Sequence, residues 1–134
     1  MARWQEIDHT ADLSIHVWGD DLADLFAGAA LGMFSLVAEA AETEVWVVEA
    51  IEMTAIDAEA LLVDWLNELL YLHEVKQAVF LAFEIKSISP VHLDAMARGR
   101  PVRRYLAHIK AATYHNLEIV ETTEGYETEL VFDI

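Results

Sequence analysis

Residues 57–87 read DAEALLVDWLNELLYLHEVKQAVFLAFEIKS, and this stretch decides the fold class. Asp57 and Glu59 place acid where a helix begins, because the helix dipole favours negative charge in the first turn. Apolar side chains then recur at helical spacing, at Leu61, Leu62, Trp65, Leu66, Leu69 and Leu72. Residues 79–87 are rich in β-branched and aromatic side chains instead. The stretch therefore predicts a core helix followed by a strand.

The same reasoning predicts an earlier helix. Asp20 or Asp21, after Gly19, is a good N-cap with further acid in the first turn. Apolar side chains follow at helical spacing, at Leu22, Leu25, Phe26, Ala29, Met33, Leu36 and Val37. Both helices therefore have the pattern of core helices.

The remaining segments are mostly β-like. They cover residues 13–18, 44–55, 92–98, 107–115, 117–121 and 126–134, and turn residues such as Ser89-Pro90 and Glu124-Gly125 separate them. Because the last five strands follow one another with short turns, they favour antiparallel pairing. We predict an α+β fold, a mostly antiparallel β-sheet with two core helices packed on one face.

Length and composition point to one globular domain over residues 1–134. Hydrophobic residues make up 55% of the chain, which is enough to form a core. The longest uncharged stretch, residues 25–38, is shorter than the roughly 20 apolar residues that cross a bilayer. The sequence has no cysteine, which excludes disulfides, thiolate zinc sites and thiol catalysis, and its start lacks a signal peptide's apolar segment. We expect a cytoplasmic protein with no membrane contact.

The charge of the chain is strongly acidic, with a formal net charge of -16. Phosphate binding needs lysine and arginine, so we expect no direct nucleic-acid binding by this chain on its own. Residues 98–117 are the exception, because they contain five basic residues and no acidic one. Such a segment faces an acidic neighbour inside the molecule or on a partner, and the sequence leaves both readings open.

Common enzyme signatures are absent, including a glycine-rich phosphate loop, a Gly-x-Ser-x-Gly elbow and a His-Glu-x-x-His zinc helix. Two acidic clusters remain, one in DHTAD at residues 8–12 and one at Asp133. Turn capping explains Asp8 and Asp12, and a solvated strand end explains Asp133. The functional alternative is that Asp12, Asp133 and the terminal carboxylate of Ile134 converge on a cation.

A cation would remove a real cost at such a cluster. Two carboxylates ~4 Å apart repel by about 4 kcal/mol at an effective dielectric of ~20. All-oxygen ligands favour calcium, magnesium or manganese over zinc.

Six histidines are scattered without metal-ligand spacing, and most are expected to be structural. His9, beside the acidic turn, and His115, after Tyr114, are the exceptions by context. Lys110 shares one strand face with Ala112 and Tyr114, and it either pairs with a carboxylate of the acidic cluster or projects to a partner. Composition alone favours the internal pair.

Four ordered blocks give the chain a family resemblance. They are DHTAD at 8–12, with Trp18-Gly19 and Leu25-Phe26 after it, LLVDWLNELLY at 61–71, KAATYH at 110–115 and FDI at 132–134. In these blocks the chain resembles the archeases, small accessory proteins of RtcB-type RNA ligases. The resemblance implies an α+β fold, a calcium-type site at Asp12, Asp133 and Ile134, and partner contacts through Lys110 and His9.

The resemblance also implies a function without catalysis by the chain itself. Archeases are similar to chaperones: they promote guanylylation and multiple turnover of the ligase that joins tRNA halves. An older proposal for the family is a chaperone role toward a tRNA methyltransferase. Two alternatives from the residues remain, a metal-dependent hydrolase using Asp12 and Asp133 with His9 or His115, and an RNA-binding module using the basic segment.

Two positions depart from the family pattern. Asn116 stands where a glycine commonly follows Tyr-His, and asparagine tolerates the left-handed turn conformation. Residues 98–105 form what is expected to be a shorter, more basic loop than that of the family. This second departure concerns partner contacts rather than the cation site.

Overall fold

In the computed structural model, residues 2–7 and 13–134 are described. Within those ranges the chain forms two α-helices and nine β-strands. In chain order these are β1 (Arg3–Ile7), β2 (Leu13–Gly19), α1 (Leu22–Val37), β3 (Ala38–Ala40), β4 (Val47–Thr54), α2 (Ala58–Lys76), β5 (Ala78–Ser89), β6 (His92–Tyr105), β7 (Ala111–Ala112), β8 (Val120–Thr122) and β9 (Gly125–Asp133).

Every strand pair is antiparallel, and the strands divide between two sheets. The first sheet has the order β1-β2-β9-β7, and β8 also pairs with β9. In the second sheet the long strand β6 pairs with β4 and β5 and, near its end, with β3. The predicted α+β class with antiparallel pairing is confirmed.

Both helices begin where the sequence predicts. The side chain of Asp21 accepts a hydrogen bond from the backbone N–H of Asp24 at 2.8 Å, and that of Asp57 accepts one from Ala60 at 2.7 Å. The second helix ends at Gln77, which adopts the left-handed conformation and donates its backbone N–H to the carbonyl of His73. Neither described helix is long and apolar enough to span a bilayer.

The core lies where α1 and α2 meet both sheets. Helix α1 contacts β2 of the first sheet and β5 of the second, while α2 contacts β5 and β7. The indole N–H of the fully buried Trp65 donates to the carbonyl of Phe26 at 3.0 Å, which ties α2 to α1. Helix α2 also contacts β7, which pairs with the end of β9, where the predicted site residues lie.

Two expectations about the segment after residue 98 are wrong. Residues 98–105 are not a loop, because β6 continues through them and pairs with β3 and β5. The predicted strand over 107–115 contracts to Ala111–Ala112. Its first part is irregular because the N–H groups of Leu106 and Ala107 both donate to the carbonyl of Val37, which is not a ladder pattern.

Candidate functional site

Three of the predicted site residues meet at one edge of the first sheet. Asp133 ends β9 opposite Ala111, and the backbone N–H of Lys110 donates to the carbonyl of Asp133 at 2.7 Å. The side chains of Asp133 and Lys110 are exposed, and Ile134 is 48% exposed. The edge therefore presents the carboxylate of Asp133 and the ammonium of Lys110 to solvent.

Asp8, His9 and Asp12 lie outside the described residues, so their predicted roles stay predictions. The described residue next to Asp12 is Leu13, which pairs with Phe132, the residue before Asp133. Leu13, the sequence neighbour of Asp12, thus lies one register position from Asp133.

The donors present at this edge suit a hard cation, because carboxylate oxygens are the ligands that calcium, magnesium and manganese prefer. The described residues do not complete a site by themselves. Within residues 2–7 and 13–134 there is no group of three or more histidine, aspartate or glutamate side chains that could hold a metal. A cation here would need the additional carboxylate that the sequence predicts at Asp12.

The ammonium of Lys110 forms no ion pair with any described residue. The internal salt bridge that composition favours is therefore not present in the described part of the chain. Lys110 instead lines one end of a cleft beside α2. Its charge is accessible to a partner.

The cleft lies between the second half of α2 and residues 105–111, and its volume is about 890 Å³. Asn67 is one of its lining residues: its side-chain oxygen accepts from the N–H of Ala112 at 2.8 Å, and its amide nitrogen lies 3.4 Å from the carbonyl of Ala112. Sequence reasoning missed this cleft. The one signal for it is that Asn67 and Tyr71 both belong to the LLVDWLNELLY block.

The turn after β7 has the geometry that the sequence predicts. Asn116 adopts a positive φ of 53°, so asparagine fills the left-handed position in place of glycine. The side chain of His115 is exposed, and its Nε2 lies 3.3 Å from the amide nitrogen of Asn116. Partial desolvation raises the pKa of the neighbouring Tyr114, whose side chain is still largely exposed, and the negative charges of Asp64 and Asp57 raise it further.

The basic segment divides into two parts. Arg103 and Arg104 both donate to the carboxylate of Glu39, at 2.6 Å and 3.1 Å. The guanidinium carbons of Arg98 and Arg100 lie 4.8 Å and 4.3 Å from the centroid of the Trp46 ring. Part of the segment thus faces an acidic neighbour inside the molecule.

Comparisons with known proteins agree along the whole chain. The family model described as the Archease protein family matches residues 4–134. The protein archease of Methanosarcina acetivorans is 34% identical over 140 residues, which cover 98% of this chain and 96% of the relative. The protein archease of Pyrococcus abyssi is 32% identical over 142 residues, which cover all of both chains.

Two solved structures share the fold. The solution structure of Methanobacterium thermoautotrophicum protein 1598 gives a TM-score of 0.68 at 26% identity and covers 98% of both chains. The crystal structure of an archease of Thermotoga maritima, described as a possible chaperone, gives a TM-score of 0.70 at 21% identity, covering 97% of this chain and 96% of the other. At that identity the second likeness concerns the fold alone.

Proposed function

The chain belongs to the archease family, and from this premise we propose that it is a non-enzymatic, chaperone-like activator of an RtcB-type RNA ligase. In this role it promotes guanylylation of the ligase and multiple turnover in tRNA splicing or RNA repair. The observation that carries the proposal is the family match over residues 4–134, which includes every block of the resemblance.

The arrangement around β9 supports an action on another protein. Asp133 and Ile134 lie at an exposed strand end beside Lys110, and neither of the two lines the cleft. A small substrate is usually held in a concave pocket that buries most of its surface. An exposed edge of charged groups suits contact with a second macromolecule, where charge complementarity steers docking.

A divalent cation belongs to this proposal, held by Asp12, Asp133 and the terminal carboxylate of Ile134. Calcium is favoured, with manganese or magnesium as alternatives, because all these ligands are oxygen atoms. The bound ion would supply positive charge that offsets the mutual repulsion of the carboxylates. The backbone N–H of Lys110 donates to the backbone carbonyl of Asp133 and so holds this residue in place. The side-chain carboxylate of Asp133 takes no part in that hydrogen bond and is free to bind a cation.

Calcium titration by calorimetry tests the cation site. We expect one site in the intact protein, none in Asp12→Ala, and weaker binding when a few residues are added after Ile134. Glu121→Gln, at an exposed position of β8, is the matched control and should bind calcium normally. Unchanged affinity in both Asp12→Ala and the extended protein would place the metal elsewhere.

Lys110→Ala separates a partner role from a structural one. If Lys110 contacts the ligase, the variant keeps its melting temperature and its calcium affinity but loses ligase stimulation, because a truncated contact at a desolvated interface commonly costs about 2 kcal/mol or more. Lys86→Ala, an exposed lysine on β5, is the control and should stimulate normally. Full stimulation by Lys110→Ala would refute the partner role.

A further inference from the structure

The cleft beside α2 combines aromatic rims with an apolar floor. Tyr71 of α2 and Tyr105 at the end of β6 stand on its rim, each 58% exposed. Val37, Leu70 and Ile109 line it as buried or nearly buried side chains. Its volume of about 890 Å³ falls in the ~300–1,000 Å³ range of ligand pockets. These walls suit an apolar group larger than a methyl or isopropyl side chain.

His73 gives the cleft a specific polar atom. Its residue surface is only 9% exposed, and its Nδ1 lies 2.6 Å from the carbonyl oxygen of Ala78. A contact this short to a carbonyl requires that Nδ1 carry the hydrogen and donate it. With the hydrogen on Nδ1, Nε2 is the ring atom left to accept a hydrogen bond, and it has no partner among the described residues. The ring is held in place edge-on against Tyr105 and Phe34, with centroids 5.7 Å apart in each case.

The opposite wall is the irregular segment 106–110, which has unused backbone hydrogen-bonding groups. Residues 106–110 lie outside any strand. Their backbone is held by three hydrogen bonds: the N–H groups of Leu106 and Ala107 donate to the carbonyl of Val37, and that of Lys110 donates to the carbonyl of Asp133. The N–H groups of His108 and Ile109 have no hydrogen-bond partner within the described part of the chain. Backbone N–H groups without a partner are donors to which the carbonyl groups of a second chain can bind.

We propose that this cleft binds an extended segment of a partner protein and accepts a tryptophan or tyrosine side chain whose N–H or O–H donates to Nε2 of His73. The proposal rests on the proposed function only in that the partner is a protein. The charges of the cleft favour a peptide over a nucleotide, because Glu74 offsets Lys110 and the chain as a whole carries -16. Aromatic side chains with one polar atom are also the common anchors of protein interfaces.

The test uses N-acetyl-tryptophanamide as the probe, followed by NMR on the full chain without any ligase. We expect saturable shifts of the ring signals of His73, Tyr71 and Tyr105. N-acetyl-1-methyltryptophanamide, which lacks the indole N–H, should bind about fivefold more weakly, as expected for the loss of one hydrogen bond of about 1 kcal/mol. Equal affinity of the two probes, or no shift at these residues, would overturn the proposal.

Variants locate the binding to the cleft. Tyr71→Ala and Tyr105→Ala should each weaken binding of the probe, whereas Tyr114→Ala, at a tyrosine that is 57% exposed and outside the cleft lining, should not. His73→Phe should bind both probes equally, and if that variant does not fold, the comparison of probes on the native protein still decides. Displacement of the probe by guanosine monophosphate would contradict the peptide assignment. Because no ligase is present, these results are independent of whether the protein stimulates ligation.

Discussion

The hydrogen bonds of Asn67 lead to a quantitative prediction, because this one side chain connects α2 to the segment that carries Lys110. The oxygen of Asn67 accepts from the N–H of Ala112 at 2.8 Å, and Ala112 is only 4% exposed. In Asn67→Ala that N–H loses its described side-chain partner while remaining buried. The backbone of β7 would then be held to the sheet by its pairing with β9 alone.

The size of the effect follows from these contacts. A neutral hydrogen bond contributes about 1 kcal/mol net, and leaving a buried donor unsatisfied costs about 1–3 kcal/mol. The second contact of Asn67, at 3.4 Å, is long and adds little. We therefore expect Asn67→Ala to lower the free energy of unfolding by about 2 kcal/mol. For a chain of this size that corresponds to a melting temperature lower by roughly 6–10 °C.

Urea denaturation followed by circular dichroism measures the loss, and amide hydrogen exchange locates it. Exchange should accelerate at Ala112 and at Lys110, whose N–H donates to Asp133. Asp64→Ala, at an exposed position of the same helix, is the matched control and should change the free energy of unfolding by less than about 0.5 kcal/mol. A change below about 0.5 kcal/mol in Asn67→Ala, with unchanged exchange at Ala112, would refute the reasoning.

Three further predictions concern other parts of the molecule. Gly99→Ala should destabilise the protein by about 1–3 kcal/mol in urea denaturation, because a Cβ there would overlap the backbone carbonyl of Val79; an unchanged midpoint would contradict this packing. In an absorbance titration, Tyr114 should ionise above its ordinary pKa of 10.0. Because the folded state holds this proton more tightly than the unfolded state, the free energy of unfolding should fall above pH 10, and it should fall more steeply than in Tyr114→Phe. Glu39→Gln removes both exposed arginine ion pairs and should cost less than about 1 kcal/mol, so a larger loss would mean that they are not solvent-screened.

The helices were predictable because their signals are local. Asp21 and Asp57 each accept a hydrogen bond from a backbone N–H three residues later, so the sequence around each one is sufficient to locate the helix start. The antiparallel class was predictable for a similar reason, since short turns between successive strands leave few other topologies.

The segment after residue 98 was not predictable in this way because its structure depends on distant parts of the chain. The family pattern suggests a loop over residues 98–105, but here Arg103 and Arg104 lie on an exposed strand surface beside Glu39 of β3. Downstream, the buried residues Ile109 and Ala112 are three positions apart, which does not fit the alternation of a regular strand. The composition of the segment does not distinguish a loop, an exposed strand and an irregular segment, because the difference depends on the strands that lie beside it.

The candidate site could not be predicted from a local pattern either. Lys110 and Asp133 are joined through a backbone hydrogen bond across the sheet edge, and no local pattern links two positions so far apart in sequence. Charge alone suggests that Lys110 lies near a carboxylate, and it does not identify Asp133 as the neighbour. The unpaired Nε2 of His73 was likewise invisible, because it follows from a contact with Ala78 across the end of α2.

Ligation by a purified RtcB-type ligase from the same organism tests the central claim most directly. The ligase is mixed with excess RNA substrate and guanosine triphosphate, with and without this protein, and product is counted per ligase molecule. We expect product to rise well beyond one equivalent only when the protein is present, and Asp133→Asn to remove the stimulation while Glu121→Gln retains it. Product that is unchanged by the native protein, or RNA joining by the protein alone, would contradict its assignment as an activator.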